Sequence, residues 1–331
     1  MPELPDIELY LERLRPRIEG QPLEAARIAS PFLLRTAVPP HGAAVGKKVV
    51  SLERLGKRVV WGFEAAPGAS ASGPATLFYV FHLMILGRLR WRERGAAVPA
   101  RRGLAAFDFP TGTVLLTEEG TKKRASLHVV EGREALLAHD PGGIDPLGCT
   151  RDAFVEALTA ERHTLKRTLT DPRVFSGIGN AYSDELLHRA RLSPMQMTTN
   201  LQPDELTRLF EATRSTLRDW LERLRAGTPP DEFPEKVTAF REGMAVHGRH
   251  GQPCPVCGAE VQRIVRGDHE TNYCPTCQTG GRILADRALS RLLKDDFPRT
   301  LDELEALRKE RPARAPEPAA AKKPAARRKK R

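Results

Sequence analysis

Cys254-Pro255-Val256-Cys257 and Cys274-Pro275-Thr276-Cys277 stand sixteen residues apart in the last third of the chain. Two Cys-x-x-Cys pairs at that separation let two tight turns present four thiolates tetrahedrally to one zinc ion. Gly258 and Gln278 follow the pairs where such turns close. A metal wholly ligated by protein keeps no position for substrate, so the expected ion is structural: one Zn2+ on Cys254, Cys257, Cys274 and Cys277. The fifth cysteine, Cys149, reads as an isolated thiol.

Upstream of this module the texture is helical from about residue 150. Leu206, Leu209, Phe210, Thr213, Leu217, Trp220, Leu221 and Leu224 recur on one face of a long helix beginning near Pro203. Gly227-Thr228-Pro229-Pro230 then breaks it. Between about 22 and 130 the apolar runs are short and β-rich: 49–52, 59–63, 77–81, 106–109 and 114–116. Strands at that spacing predict a β-sandwich or barrel. Residues 65–75, rich in Ala, Gly, Ser and Pro, predict a hairpin loop. Ile7, Tyr10, Leu11, Leu14 and Ile18 predict a helix over 6–19, ended by Gly20 and Pro22. Beyond the cysteines, helices are expected at 285–294 and 300–310, and the Ala/Pro/Lys/Arg tail after 311 cannot bury a core.

The net charge of the 331-residue chain is +11, but the last twenty residues hold eight Lys/Arg against one Glu. Bulk charge is therefore a property of the tail, and the case for a polyanionic partner rests on motifs. No apolar run reaches the roughly 20 residues of a membrane span. The start, Met1-Pro2-Glu3-Leu4-Pro5-Asp6, carries acids where a secretory signal carries bases. The expectation is a cytoplasmic protein, nucleoid-associated in a bacterium.

Removal of Met1 exposes Pro2 as the first residue. An α-amino group titrates near 7.7–8.0, so part of it is neutral at physiological pH. Such an amine forms iminium adducts with sugar carbons, and Glu3 stands beside it for proton transfer. A third feature is Phe175-Ser176-Gly177-Ile178-Gly179-Asn180-Ala181-Tyr182. Two glycines before a helix start allow a phosphate to approach, and Asn180 is placed to cap the helix or contact that phosphate.

Together, Met1-Pro2-Glu3-Leu4-Pro5-Asp6-Ile7-Glu8, the run Gly177 to Glu185 and the cysteine module resemble the formamidopyrimidine-DNA glycosylase/endonuclease VIII family over residues 2–280. The resemblance implies an α+β protein. An N-terminal catalytic helix and β-sandwich domain covers 1–131, and a helix–two-turn–helix DNA-binding domain covers 132–243. A zinc finger covers 244–280, a helical extension 281–311 and a disordered basic tail 312–331. It implies a base-excision-repair DNA glycosylase/AP lyase acting on oxidised or ring-opened bases. The reaction runs through an iminium on Pro2, then β- and optionally δ-elimination. Damaged DNA is the partner, no diffusible cofactor is required, and the expected state is a monomer. By the same resemblance Glu3 is the acid at the sugar and Lys57 contacts phosphate and assists elimination. Asn180, Arg124, Arg162 and Lys166 contact DNA, and Ile85 lies in the strand-loop element near the flipped nucleotide.

Three departures stand out. His269 occupies the finger-tip position where the family has a phosphate-gripping arginine, with Arg266 as the nearest substitute. The family's wedge of methionine, arginine and phenylalanine is replaced by Ile85, Lys123 and Ala125, of which alanine is too small to fill the hole left by a flipped base. The chain also continues past the finger. The competing reading is a catalytically silent damaged-DNA binding protein. A zinc-ribbon accessory factor accounts for the cysteines but not for Pro2 and Glu3.

Overall fold

The computed structural model describes residues 1–65, 75–235, 237, 241–267, 269–285 and 298–310. Helix α1 (Leu4–Ile18) opens the chain. Its start is fixed by a reciprocal cap in which Glu3 N–H donates to Asp6 Oδ2 at 2.8 Å, with Pro5 in the first turn, where its missing N–H costs nothing. Ile7, Leu11, Leu14 and Ile18 bury its apolar face in a sandwich core with Trp61, Phe63, Phe81, Phe107 and Phe109.

The sandwich contains two four-stranded antiparallel sheets. One runs β1 (Ala25–Ile28), β6 (Gly103–Phe109), β7 (Gly112–Glu118), β5 (Gly87–Arg92). The other runs β2 (Val49–Leu55), β3 (Arg58–Phe63), β4 (Leu77–His82), β8 (Ser126–Glu131). The five predicted strands are all present. β1, β5 and β8 were not predicted: β1 reads Ala-Ala-Arg-Ile, and three arginines mask the alternation Leu89, Trp91 in β5. The segment 83–86 crosses from one sheet to the other.

Helix α2 (Arg133–Leu137) packs on the outer face of the second sheet, and the second core belongs to helices α3 (Arg151–Thr159), α4 (Leu165–Thr170), α5 (Asn180–Ala190) and α6 (Pro203–Ala226). Leu169, Phe175, Ile178, Leu186, Leu187 and Leu217 fill it, and Leu4 of α1 reaches into it. Polar ties join the halves. Arg225 clamps Glu12, Arg13 donates to the Thr228 carbonyl at 2.6 Å, and Arg54 spans Glu8, Ser176 and Asp145.

The finger is the hairpin β9 (Gln262–Arg266) and β10 (His269–Tyr273) followed by α7 (Pro275–Thr279). A bridge between Arg282 and Thr300 attaches the extension, which ends in α8 (Leu301–Glu310). The predicted loop at 65–75, the helix at 285–294 and the tail 312–331 lie wholly or mostly outside the described residues. Among the described residues no helix is long and apolar enough to cross a membrane.

Candidate active site

The N-terminus and the start of α5 build one site. Leu4 N–H donates to the Gly177 carbonyl at 3.0 Å, which lays residues 2–4 against the Gly-x-Gly turn. The buried carboxylate of Glu3 then meets the N-terminal end of α5. It accepts from the N–H groups of Gly179 (2.6 Å), Ala181 (2.9 Å) and Tyr182 (3.3 Å). Unpaired N–H groups and the helix dipole make such an end an anion site. The anion there is Glu3, which corrects the phosphate-cradle reading of the two glycines. A Cβ on Gly179 would stand 2.5 Å from Glu3 Oε1, and one on Gly177 would stand 2.8 Å from Leu4 Cβ at a φ of +89°. Both glycines are there for close approach.

The α-amino group of Met1 lies among Glu3, Asp6, Arg88 and Lys57. Burial lowers its pKa; Glu3 and Asp6 oppose that shift, while Arg88 and Lys57 reinforce it. Lys57, on the turn between β2 and β3, is also shifted down, by burial first and by Lys166, against the pull of Glu3. In both groups burial opposes the charged form while the nearby Glu3 favours it. Asp6, paired with Arg241, is pushed up by burial. Arg88 donates to the carbonyls of Ile85 and Gly87, tying the site to the 83–86 crossing. That crossing is a shaped turn, with Met84 at φ +54° and Gly87 N–H on the Leu83 carbonyl at 2.9 Å. Its tip exposes Ile85 and Leu86.

The other predicted contacts divide. Arg162 and Arg124 are exposed. Asn180 heads α5, with its side-chain amide donating to the Glu270 carbonyl at 2.8 Å, so it joins the helix to the finger. Lys166 is corrected: its buried ammonium donates to the Asn180 carbonyl, Ser183 Oγ and Asp184 Oδ1 at 2.7, 2.7 and 2.5 Å. All three of its N–H bonds are used inside the protein, leaving none for a phosphate. His269 pairs with Arg266 in the hairpin backbone, and its side chain lies outside the described residues. Ala125 is buried in the sandwich core.

The metal set is also corrected. Among the described residues the atoms close enough to share one ion are those of His188, Cys254, Cys274 and Cys277, all within 4.8 Å of one another. His188 Nε2 is 3.2 Å from Cys254 Sγ, and Cys254 Sγ is 4.0 Å from Cys277 Sγ. Three thiolates and one imidazole form a standard closed zinc set. Cys257 is exposed and outside this set, its Sγ 3.4 Å from that of Cys274. X-ray absorption at the zinc edge should show three sulfurs near about 2.3 Å and one nitrogen near about 2.0–2.1 Å; four sulfurs would contradict the assignment.

Sequence reasoning missed what α5 does beyond its first turn. Asp184 accepts from Lys166, His247 and Asn272, and Glu185 accepts from the N–H groups of Ala245, Val246 and His247. His188 is on the same helix. Thus one 11-residue helix holds Glu3 at its start and the metal set near its end. Asp184 and Glu185 stood inside the quoted motif; nothing in the sequence pointed to Arg88, Arg241 or His188.

Residues 1–134 match the formamidopyrimidine-DNA glycosylase N-terminal domain, residues 142–229 the formamidopyrimidine-DNA glycosylase H2TH domain, and residues 251–280 the zinc finger found in FPG and IleRS. The formamidopyrimidine-DNA glycosylase of Thermus thermophilus is 31% identical over 290 residues, covering 85% of this chain and 100% of that one. A Mycobacterium tuberculosis formamidopyrimidine-DNA glycosylase-like protein is 44% identical over 152 residues, which is 46% of this chain and 94% of its own. The crystal structure of MutM (FPG) from Thermus thermophilus superposes with a TM-score of 0.68 at 30% identity, over 84% of this chain and 98% of that one. Lactococcus lactis Fpg, solved with DNA containing an abasic site, shares the fold at a TM-score of 0.70 and 21% identity, over 84% of this chain and 99% of that one.

Proposed function

Because this chain belongs to the formamidopyrimidine-DNA glycosylase family, we propose that its amino terminus and Glu3 are the catalytic pair of a base-excision enzyme. The protein is a bifunctional DNA glycosylase/AP lyase and binds damaged DNA. The observation that carries the assignment of residues is the buried Glu3 carboxylate, fixed by three N–H groups of the α5 turn and adjacent in the chain to Pro2.

With Met1 removed, the secondary amine of Pro2 attacks C1′ of the damaged nucleotide and the base departs with its bonding pair. Glu3 takes up the proton that the Pro2 nitrogen loses and delivers it to the sugar ring oxygen as the ring opens, leaving an iminium between Pro2 and C1′. Loss of a C2′ proton then expels the 3′ phosphate. Lys57, close to Glu3, is the cation for that phosphate and assists the elimination. His188, Cys254, Cys274 and Cys277 would hold a zinc ion with protein atoms alone, which would brace the finger against α5.

Extruding a nucleotide requires something to fill the gap it leaves. Ile85 and Leu86 are 52% and 40% exposed at a braced turn, whereas Ala125 is buried and Lys123 donates to the Glu118 carbonyl. The wedge is therefore one apolar finger without the family's second. We expect activity to be highest where little stacking must be replaced, at mismatched, distorted or single-stranded sites. Cleavage measured across lesions, opposite bases and strand contexts should show that order. A strong preference for 8-oxoguanine opposite cytosine in intact duplex would refute it.

A further inference from the structure

We propose that Arg58, His128 and His139 form a second phosphate site, on the outer face of the β2–β3–β4–β8 sheet, which holds the backbone of bound DNA beside the active site. Only the identity of the ligand rests on the glycosylase reading; the site itself stands on its own geometry.

Side chains alternate across a strand. Val59, Trp61 and Phe81 enter the sandwich core, while Val60, Phe78, Val80 and Val130 face outward beneath Leu136 of α2. Arg58, His82 and His128 fall in the outward phase of β3, β4 and β8. Arg58 pairs directly with His82, and His128 is paired with Val80. The 138–140 segment closes over them, with the rings of His128 and His139 4.5 Å apart.

Two polar atoms here are buried without a hydrogen-bond partner: Arg58 Nε and His128 Nδ1. Buried polar groups are normally paired, so two such orphans on one face of the sheet call for a ligand or water. The surrounding charges select the sign. Lys57 and Arg58 come from the β3 side and Arg35 from the segment beside β8; the acids on this face are Asp140, after α2, and Glu53 of β2, which is paired with Arg133. The site adjoins the candidate active site, because Lys57 precedes Arg58 in the chain and His82 leads into the 83–86 crossing. A strand passing Lys57 meets this row next.

Burial first, then Arg58 and the neighbouring cations and imidazoles, hold His82 and His128 down to about 4, and His139 is also lowered. All three are neutral at pH 7 in the free protein. A phosphate beside them favours the charged form, so DNA binding takes up protons and tightens as pH falls from about 7.5 to about 5.5.

The test is calorimetry of the full-length protein on a duplex carrying a stable abasic analogue, in buffers of different ionisation enthalpy, with imidazole NMR alongside. We expect net proton uptake at pH 6, its loss in His128→Gln and His139→Gln, and a salt slope reduced by about 1 in Arg58→Ala. Borohydride trapping on the same variants reports the catalytic reading separately. Retained trapping with no proton uptake, and imidazole signals of the unaltered protein unmoved by saturating DNA, would overturn the proposal and leave the glycosylase assignment standing. Signals that move with inorganic phosphate but not with DNA would mark a free-anion site and equally overturn it.

Discussion

Gly179→Ala lowers base excision at least about a hundredfold while DNA binding changes little. The added methyl group would stand 2.5 Å from Glu3 Oε1 and from its Cδ. Gly179 sits at φ −130°, a backbone conformation alanine adopts freely, so the effect is purely one of space. The carboxylate must give way, losing the 2.6 Å bond from Gly179 N–H and with it the alignment toward the sugar. Displacements of about 1 Å at a reacting group cost on the order of a hundredfold. Glu3→Gln removes the acid itself and should cost about 10²–10⁴. The two act on one group, so in the Glu3→Gln background Gly179→Ala should add little. Single-turnover excision, with binding followed by anisotropy, reads both effects. A full additional hundredfold loss in the double variant would mean that Gly179 acts elsewhere.

The fold was largely legible because its periodicities are local. The spacing of Ile7, Leu11, Leu14 and Ile18 marks a helix whatever surrounds it, and Pro203 and Gly227 bound the longest helix as helix punctuation should. The site was legible in its residue types and less so in its partners. A Gly-x-Gly turn before a helix announces an anion, but the occupant, Glu3, comes from 176 residues away. A lysine in a basic neighbourhood reads as a phosphate contact until Asp184, Ser183 and a carbonyl are found around it. Two Cys-x-x-Cys pairs draw all four thiols to one ion by their regularity. The imidazole of His188, 66 positions before Cys254, is brought in only by the packing of α5 on the finger. In each case the sequence carries the donor or acceptor and the tertiary contact chooses its partner.

The central claim is that a free amine on Pro2 is the nucleophile. It predicts that everything depends on the state of the amino terminus. In the structure the α-amine that lies within the field of Glu3, Asp6, Arg88 and Lys57 is that of Met1, one residue before Pro2. An amide nitrogen in that position has no lone pair to give, so retaining Met1 ahead of Pro2, or acetylating Pro2, should abolish covalent chemistry without disturbing the buried core around α1. The most direct measurement is borohydride trapping on an abasic-site oligonucleotide, comparing the processed protein with the Met1-retaining form and with Pro2→Gly. A covalent protein–DNA adduct mapped by mass spectrometry to Pro2, absent when Met1 is retained and strongly reduced in Pro2→Gly, is the result the account predicts. An adduct of undiminished yield in the Met1-retaining form, or one mapped to Lys57, would contradict it.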